Sequence, residues 1–359
     1  MSGSVPSAER MAGSAAPHVL TAVLHPVADP RWRRFVDRAP DATIFHHPSW
    51  LELIGSRYGY RLAACCVLDR DREIAAGLPV ALVRSRLTGR RLVAFPFSDA
   101  CPPLGDPRDM TTLGLLVDDL GGRMATSVEV HGTLATPRAH PGARHRRHVV
   151  ALTGGIGEVE RRFRRSSVLR GMRRARREGL VAQFRVDTDA LDSFYRLHVV
   201  TRSRLGAPTQ PRAFIRDLER LFREDLGFVL LVADGEDVAA AAVFLHHGGV
   251  LTYKYGASDV ARLSMRPNNL LFWEAIRWGC EHGMDALDLG RSDLGQESLR
   301  EFKLSWGADE HVLDYTHIGS DRARAADRGA AGRALATVLR RAPPSASRLA
   351  GEILYRHAG

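Results

Sequence analysis

The clearest pattern of apolar and polar positions lies in the second half of the chain. After Pro211, which suits the first turn of a helix, Phe214, Ile215, Leu218, Leu221 and Phe222 recur at helical spacing with charges between them. This predicts an amphipathic helix. Three apolar runs follow, Phe228 to Ala233, Val238 to His246 and Val250 to Ala257, separated by the turn-formers Asp234-Gly235 and Gly248-Gly249. They predict an antiparallel meander. A further helix is expected from Pro267, through Leu270, Leu271, Trp273, Ile276 and Trp278, to a terminating Gly283. Strands are expected at Ala286 to Leu289 and around His311 to Tyr315. The order helix, three strands, helix, strand, strand fits a mixed α/β (α+β) domain whose sheet is mainly antiparallel.

A similar rhythm runs through the first half. Pro48 to Tyr58 reads as a helix, and Leu62 to Leu68, Ile74 to Val83 and Leu92 to Phe95 read as strands. Met110 to Leu120 offers another helix, with strands near Val128 and Val149, and an Arg-dense helix is expected from Glu158 to Glu178. Two copies of one topology are the simplest reading, although no sequence repeat is visible. The expected organisation is a disordered start over 1–17, a first domain over 18–180 ending in the Arg-rich helix, a second over 181–318, and an Arg-rich helical tail over 319–359. The tail ends in an apolar stripe, Leu349, Ile353, Leu354 and Tyr355, suited to packing back or to lying on a surface.

At 359 residues and 45% hydrophobic, the chain can bury a core of two-domain size. Its formal charge of +10 favours an anionic partner: nucleic acid, a phosphorylated substrate or an acidic membrane surface. Cys65, Cys66, Cys101 and Cys280 have neither zinc-site nor disulfide-framework spacing, so reduced thiols are expected. The adjacent pairs His46-His47 and His246-His247 would point opposite ways in a strand, and no metal is expected. The start lacks a signal-peptide core and no run approaches a membrane span, which favours the cytoplasm. Of the 51 basic residues 49 are arginine, and the only two lysines, Lys254 and Lys303, share one stretch with the only two asparagines, Asn268 and Asn269. Lysines surviving in so Arg-biased a chain mark places that need a compact ammonium rather than a planar guanidinium.

Several fragments together resemble the Fem-type peptidoglycan-bridge aminoacyltransferases and related GNAT-superfamily acyltransferases with a BioF-like acetyltransferase domain. They are Phe45-His46-His47-Pro48-Ser49-Trp50, Phe95-Pro96-Phe97-Ser98-Asp99, the helix ending Arg173-Arg174-Ala175-Arg176-Arg177-Glu178-Gly179, Leu251-Thr252-Tyr253-Lys254-Tyr255-Gly256-Ala257-Ser258, Asp288-Leu289-Gly290-Arg291-Ser292, and Phe302-Lys303-Leu304-Ser305-Trp306-Gly307. The resemblance spans roughly residues 40 to 318. It implies a pair of GNAT-like domains and transfer of an acyl or aminoacyl group onto an amine.

The resemblance places Phe302, Lys303 and Trp306 beside the transfer site. An ammonium at Lys303 could stabilise the oxyanion formed when an amine attacks an ester or thioester, or neutralise a donor phosphate. A solvated surface lysine is the plainer alternative. Lys254 sits between Tyr253 and Tyr255, so alternation puts it on the face opposite both rings. Asp288 could accept a proton or pair with Arg291, and Asp99 is the equivalent candidate in the first half. CoA-dependent GNAT enzymes resemble Arg/Gln-x-x-Gly-x-Gly/Ala before the central helix, where bare backbone N–H groups meet a pyrophosphate. Here that place reads Arg262-Leu263-Ser264-Met265-Arg266-Pro267, departing at Met265 and Pro267. The departure moves the expected donor toward aminoacyl-tRNA, with Arg262 and Arg266 able to hold a phosphate by side chain.

The nine arginines from Arg161 to Arg177 include Arg170, Arg173 and Arg174 as candidates for phosphate contacts, with no aromatic interleaving for base reading. The leading expectation is a transferase moving an aminoacyl group from aminoacyl-tRNA to an amine of a cell-envelope or natural-product precursor. No tightly bound cofactor is expected, nor a DNA partner; peripheral contact with a membrane surface is compatible with the charge. An acyl-CoA-dependent N-acyltransferase is the first alternative. A non-catalytic basic binding protein on a degenerate GNAT scaffold is the competing class.

Overall fold

The computed structural model describes residues 20–85, 89–319 and 335–358. The expected disordered start therefore lies outside the described residues, as do residues 320–334 of the tail. The chain divides into two compact units, one centred on residues up to Arg144 with the end of the last strand, the other on His145 to Val312 with most of the C-terminal segment. The stretch 145–180, expected at the end of the first domain, thus belongs to the second unit.

The first unit is a sheet in the order β1 (Leu20–Leu24), β2 (Arg61–Leu68), β3 (Ile74–Ser85), β4 (Gly89–Ala94), β6 (Ser127–Val130) and the end of β13 (Asp309–Ile318), with the short β5 (Leu104–Gly105) beside β3. Neighbouring strands here run antiparallel except β4 and β6, whose parallel run is bridged by α3 (Met110–Arg123). Leu113 and Val117 of α3 close one face of the sheet, against Leu78, Val80, Leu92 and Val128. Helices α1 (Pro30–Arg38) and α2 (Pro48–Tyr58) precede β2. Buried Trp32 of α1 donates its indole N–H to the His46 carbonyl at 3.0 Å, so its polar atom is satisfied inside the core.

The second unit is a sheet in the order β7 (Ala139–Ala151), β12 (Ala286–Asp293), β11 (Val250–Ser258), β10 (Asp237–His247), β9 (Gly227–Asp234) and β8 (Val181–Arg185). Only β11 and β12 run parallel, joined through α9 (Pro267–Glu281). One side of this sheet carries α4 (Ile156–Arg162), α5 (Val168–Arg177) and α9 over Leu230, Phe244, Leu251, Leu287 and Trp306. The other carries α6 (Thr188–Leu205) and α7 (Arg212–Asp217), followed in the chain by α8 (Glu219–Arg223). A mixed, mainly antiparallel α/β fold is what the sequence pattern predicts, and two such domains are what the family resemblance implies.

Two local expectations change. The Arg-dense helix is broken in two, because Phe163 leaves the helix in an extended conformation and turns inward. Its ring meets Trp273 and Trp306 edge-on, at 6.1 and 5.3 Å. Burying that ring, worth about 1.5–3 kcal/mol, outweighs continuing a turn of arginines. Helix α6 escapes the sequence reading, although Asp187 caps it through the Ala190 N–H at 3.0 Å and Gly206 ends it in the left-handed region.

His198 of α6 is buried, stacked on Phe194 at 5.0 Å and hydrogen-bonded to Gln210. Burial holds its imidazole at about 3, from an ordinary value of 6.5, so it stays neutral in the fold. Below pH 6.5 the unfolded chain takes a proton that the native chain refuses until near 3. Stability should fall in that window by up to about 1.4 kcal/mol per pH unit from this group. Urea unfolding across the window should show a shallower decline for His198→Asn than for the parent chain.

Candidate functional site

Strands β11 and β12 pair only at Val250–Thr252 with Ala286–Asp288, and beyond that their ladder stops. Two irregularities turn the strands away from each other. The register of β10 on β11 skips between Val243, opposite Tyr255, and Phe244, opposite Tyr253, so Lys254 forms the extra residue of a β-bulge. On the other strand, β12 loses register with β7 between Asp288 and Arg291, around Gly290 at φ +72°. The result is a wedge at the carboxyl ends of two parallel strands, the usual ligand position of an open α/β sheet.

The bulge on β12 frees backbone groups that side chains then satisfy. Asp288, 4% exposed, accepts the Gly290 N–H on Oδ1 at 2.8 Å and Arg147 Nε on Oδ2 at 2.8 Å. Lys303, 5% exposed on α10 (Glu297–Leu304), donates from Nζ to the carbonyls of Gly290 and Arg291, each at 2.9 Å. The ammonium is therefore not on the solvated surface, the plainer alternative read from the sequence; two of its donors tie down the bulged end of β12. Asp288 pairs with Arg147 rather than Arg291, and both its oxygens are engaged. Exposed Arg291 instead reaches His145 Nε2 at 3.3 Å, while His145 Nδ1 meets Asp293 at 2.9 Å.

Near Lys303 lies a group the sequence reading missed. His148 is fully buried on β7, with Nε2 at 3.0 Å from Glu310, which Arg300 grips at 2.8 and 2.9 Å. The Arg300 guanidinium brings the Glu310 carboxyl down to about 2. Burial first, and then the Lys303 charge, lower the His148 imidazole and favour its neutral form. Only the β7 periodicity could have pointed to His148.

The tyrosines also depart from expectation. Because the bulge breaks strict alternation, Tyr253 and Tyr255 lie on opposite faces of the sheet. Tyr253 packs against Phe244 and Phe272, at 5.6 and 4.9 Å, on the α9 side. Its hydroxyl stands over Gly256, where an added Cβ would meet it at 1.6 Å, and it makes no hydrogen bond among the described residues. Burial pushes that phenol up to about 12, so it remains a donor. Tyr255 turns to His198 and Phe214, at 6.0 and 6.2 Å, with Lys254 Nζ 5.0 Å from its ring centre.

Several other candidates are committed to the fold. Trp306 is fully buried among Phe163, Phe272 and half-buried Phe302, a core residue rather than a substrate contact. Asn268 accepts the Ser258 hydroxyl at 2.7 Å and so fastens the end of β11 to α9. Asn269 donates to the Ser167 carbonyl at 3.3 Å and sits against Gly171, where a Cβ would approach it to 2.5 Å. That close contact docks α5 on α9. Arg262 forms ion pairs with Asp237 and Asp259. Asp99 lies in the first unit, where its carbonyl accepts the Tyr315 hydroxyl at 2.6 Å.

What the docking of α5 on α9 creates is a cavity of about 980 Å³ lined by Ser166, Ser167, Gly171 and six arginines: Arg170, Arg173, Arg174, Arg176, Arg177 and Arg266. Arg170, Arg173, Arg174 and Arg177 repeat at helical spacing along one face of α5. Arg176 is offset by Glu274 at 3.0 Å and Arg174 by Glu178 at 3.3 Å. Arg173, Arg177 and Arg266 form no ion pair among the described residues. Like charges 4 Å apart repel by about 1 kcal/mol even in water, so an anion entering here relieves repulsion as well as gaining contacts. The loop beneath offers little backbone. Residues Val260–Met265 form a 3-10 helix, the Arg266 N–H is taken by the Leu263 carbonyl at 3.0 Å, and Pro267 has none.

Residues 162–304 match the acetyltransferase (GNAT) domain family. The fold is similar to that of FemX, with a TM-score of 0.64, 14% identity, and coverage of 83% of this chain and 97% of that one. It is similar also to L-PGS from Bacillus licheniformis, with a TM-score of 0.56, 12% identity, and coverage of 87% and 98%. No curated protein matches by sequence. At such identities the structural likenesses speak for the fold, and the family match for the class. The resemblance read from the motifs holds at that level: residues 162–304 form a GNAT acetyltransferase-like domain, which supports reading the protein as an acyltransferase.

Replacing Lys303 by Met would strip two carbonyls of their donor, Gly290's buried and Arg291's part-buried, at about 1–3 kcal/mol for an unsatisfied buried group. Denaturant unfolding of Lys303→Met should show a loss in that range. A change below about 0.5 kcal/mol, the size of an ordinary surface substitution, would mean the ammonium does not hold the bulge.

Proposed function

We propose that the protein moves an aminoacyl group from aminoacyl-tRNA to an amine of a cell-envelope or natural-product precursor. The observation that carries this reading is the arginine-lined cavity beside α9, in which guanidinium groups take the place of the backbone nest that a CoA pyrophosphate needs. Arg173, Arg177 and Arg266 would hold donor phosphates there, with Arg170 and Arg174 at the margin. The ester would lie toward the wedge between β11 and β12.

In the transfer itself the amine nitrogen attacks the ester carbonyl, a C–N bond forms, and the C–O bond to the ribose breaks. The leaving oxygen ends with the proton that the amine gives up. Tyr253, protonated and facing Gly256, supplies a hydrogen bond for developing negative charge. Lys303 and Asp288 act one step back, keeping the β12 wall in place. Catalysis of this kind rests on positioning and charge rather than on a covalent enzyme intermediate. Acyl-CoA remains the second reading for the donor, favoured by the acetyltransferase family match over 162–304.

Incubation with charged tRNA, and separately with a panel of acyl-CoA thioesters, each with amine acceptors, distinguishes the two readings by which donor is consumed. Loss of the tRNA ester dependent on an acceptor is the expected result; turnover of acyl-CoA alone overturns it. Charge reversal of Arg173 and Arg177 should weaken tRNA binding and lower the slope of log affinity against log salt by about 0.7–0.9 for each phosphate that is no longer neutralised. Tyr253→Phe should lower turnover and leave tRNA affinity unchanged.

A further inference from the structure

The C-terminal helix, Pro344–Ala358, has its amphipathicity inverted. The face seated on the protein is small and polar. Ser347, fully buried, donates to the Ala207 carbonyl at 2.6 Å and shares a hydrogen bond with Thr209 at 3.0 Å. One turn on, Gly351 lies so close to Thr209 that an added Cβ would stand 1.7 Å from its carbonyl oxygen. Another turn on, the Tyr355 hydroxyl meets the Pro208 carbonyl at 3.3 Å and Arg202 at 3.2 Å. The larger aliphatics face outward instead: Leu349 is 63% and Ile353 56% exposed, one turn apart, and Val338 on the preceding helix, 335–341, is 64% exposed. An ordinary surface helix does the reverse.

The charges around that outer face have one sign. Arg340, Arg341, Arg348 and Arg356 are all exposed, against a single acidic residue over 335–358. That residue, Glu352, accepts the Arg212 backbone N–H at 3.3 Å. Exposed aliphatics flanked by arginine are the marks of a helix that lies in a membrane interface. Each arginine beside an anionic leaflet adds to the attraction. A second copy of the chain would instead set four arginines against four.

We infer that the outer face of this helix docks on an anionic lipid bilayer, with Leu349 and Ile353 at the headgroup boundary and the arginines on lipid phosphates. The inference is independent of which acyl donor is used.

Sedimentation of the full chain with vesicles of phosphatidylcholine alone, or mixed with phosphatidylglycerol, tests it. Binding to the mixed vesicles only is expected. The double variant Leu349→Asp/Ile353→Asp should lose that binding with an unchanged unfolding midpoint, since both side chains are exposed. Arg341→Glu and Arg348→Glu should each weaken it about five-fold or more, and Arg173→Glu, in the cavity, should leave it intact. Equal binding to neutral vesicles, or no binding to mixed ones, would overturn the inference. So would full binding by the double aspartate variant, or a vesicle-free dimer that the same variant dissolves.

Discussion

A parallel pair of strands that parts company must find other partners for its backbone groups, and the second unit is organised around meeting that demand. Where β12 leaves its ladder, the Gly290 N–H goes to Asp288, and the carbonyls of Gly290 and Arg291 go to Lys303. Unpaired, these buried groups would cost about as much as several good packing contacts contribute. Satisfied, they allow a wedge to exist in the middle of a sheet. An ammonium, with three donors on a compact head, can reach two carbonyls inside a bulge, whereas a guanidinium holds its donors in a fixed planar fork. A lysine survives here, in a chain otherwise almost purely arginine, for a reason of shape.

Positive charge in this protein is used in two ways. Arg176 and Arg277 are tied to Glu274, and Arg262 to Asp237, so these contribute to packing and register with little net field. Arg173, Arg177 and Arg266 converge on a cavity with no acidic residue among its lining groups. Exposed ion pairs are worth little to stability, but like charges gathered around one hollow specify the sign of what enters. The packing of Asn269 against Gly171 is what brings the arginines of α5 to the end of α9, so a close steric contact sets the electrostatics.

How far the site can be read from the chain differs from residue to residue. Helix α2 is bounded by Pro48 and Tyr58 as its pattern predicts, and β9, β10 and β11 fall within a residue or two of the expected runs. Strong periodicity and turn residues act locally, so they survive folding unchanged. Phe163 and Trp306 hide their core role in the sequence because their neighbours in the chain are charged or polar, while the rings they meet, Trp273 and Phe272, lie far away along it. Alternation puts Tyr253 and Tyr255 on one face, and a bulge, which depends on the partner strand, leaves no mark in a period of two.

Residue order alone is enough to give many of the elements, the mixed α/β class, the transferase family resemblance and the need for positive charge to meet an anion. Those properties follow from local periodicity, composition and motif order. Folding in three dimensions was required to show that Lys303 grips backbone, that Asp288 answers Arg147, that His148 and Glu310 stand beside them, and that the aliphatics of the last helix face away from the protein. Each of these is a pairing, or a failure to pair, between residues far apart in the chain. No one-dimensional pattern dictates which distant groups meet once the sheet twists, bulges and closes on its helices.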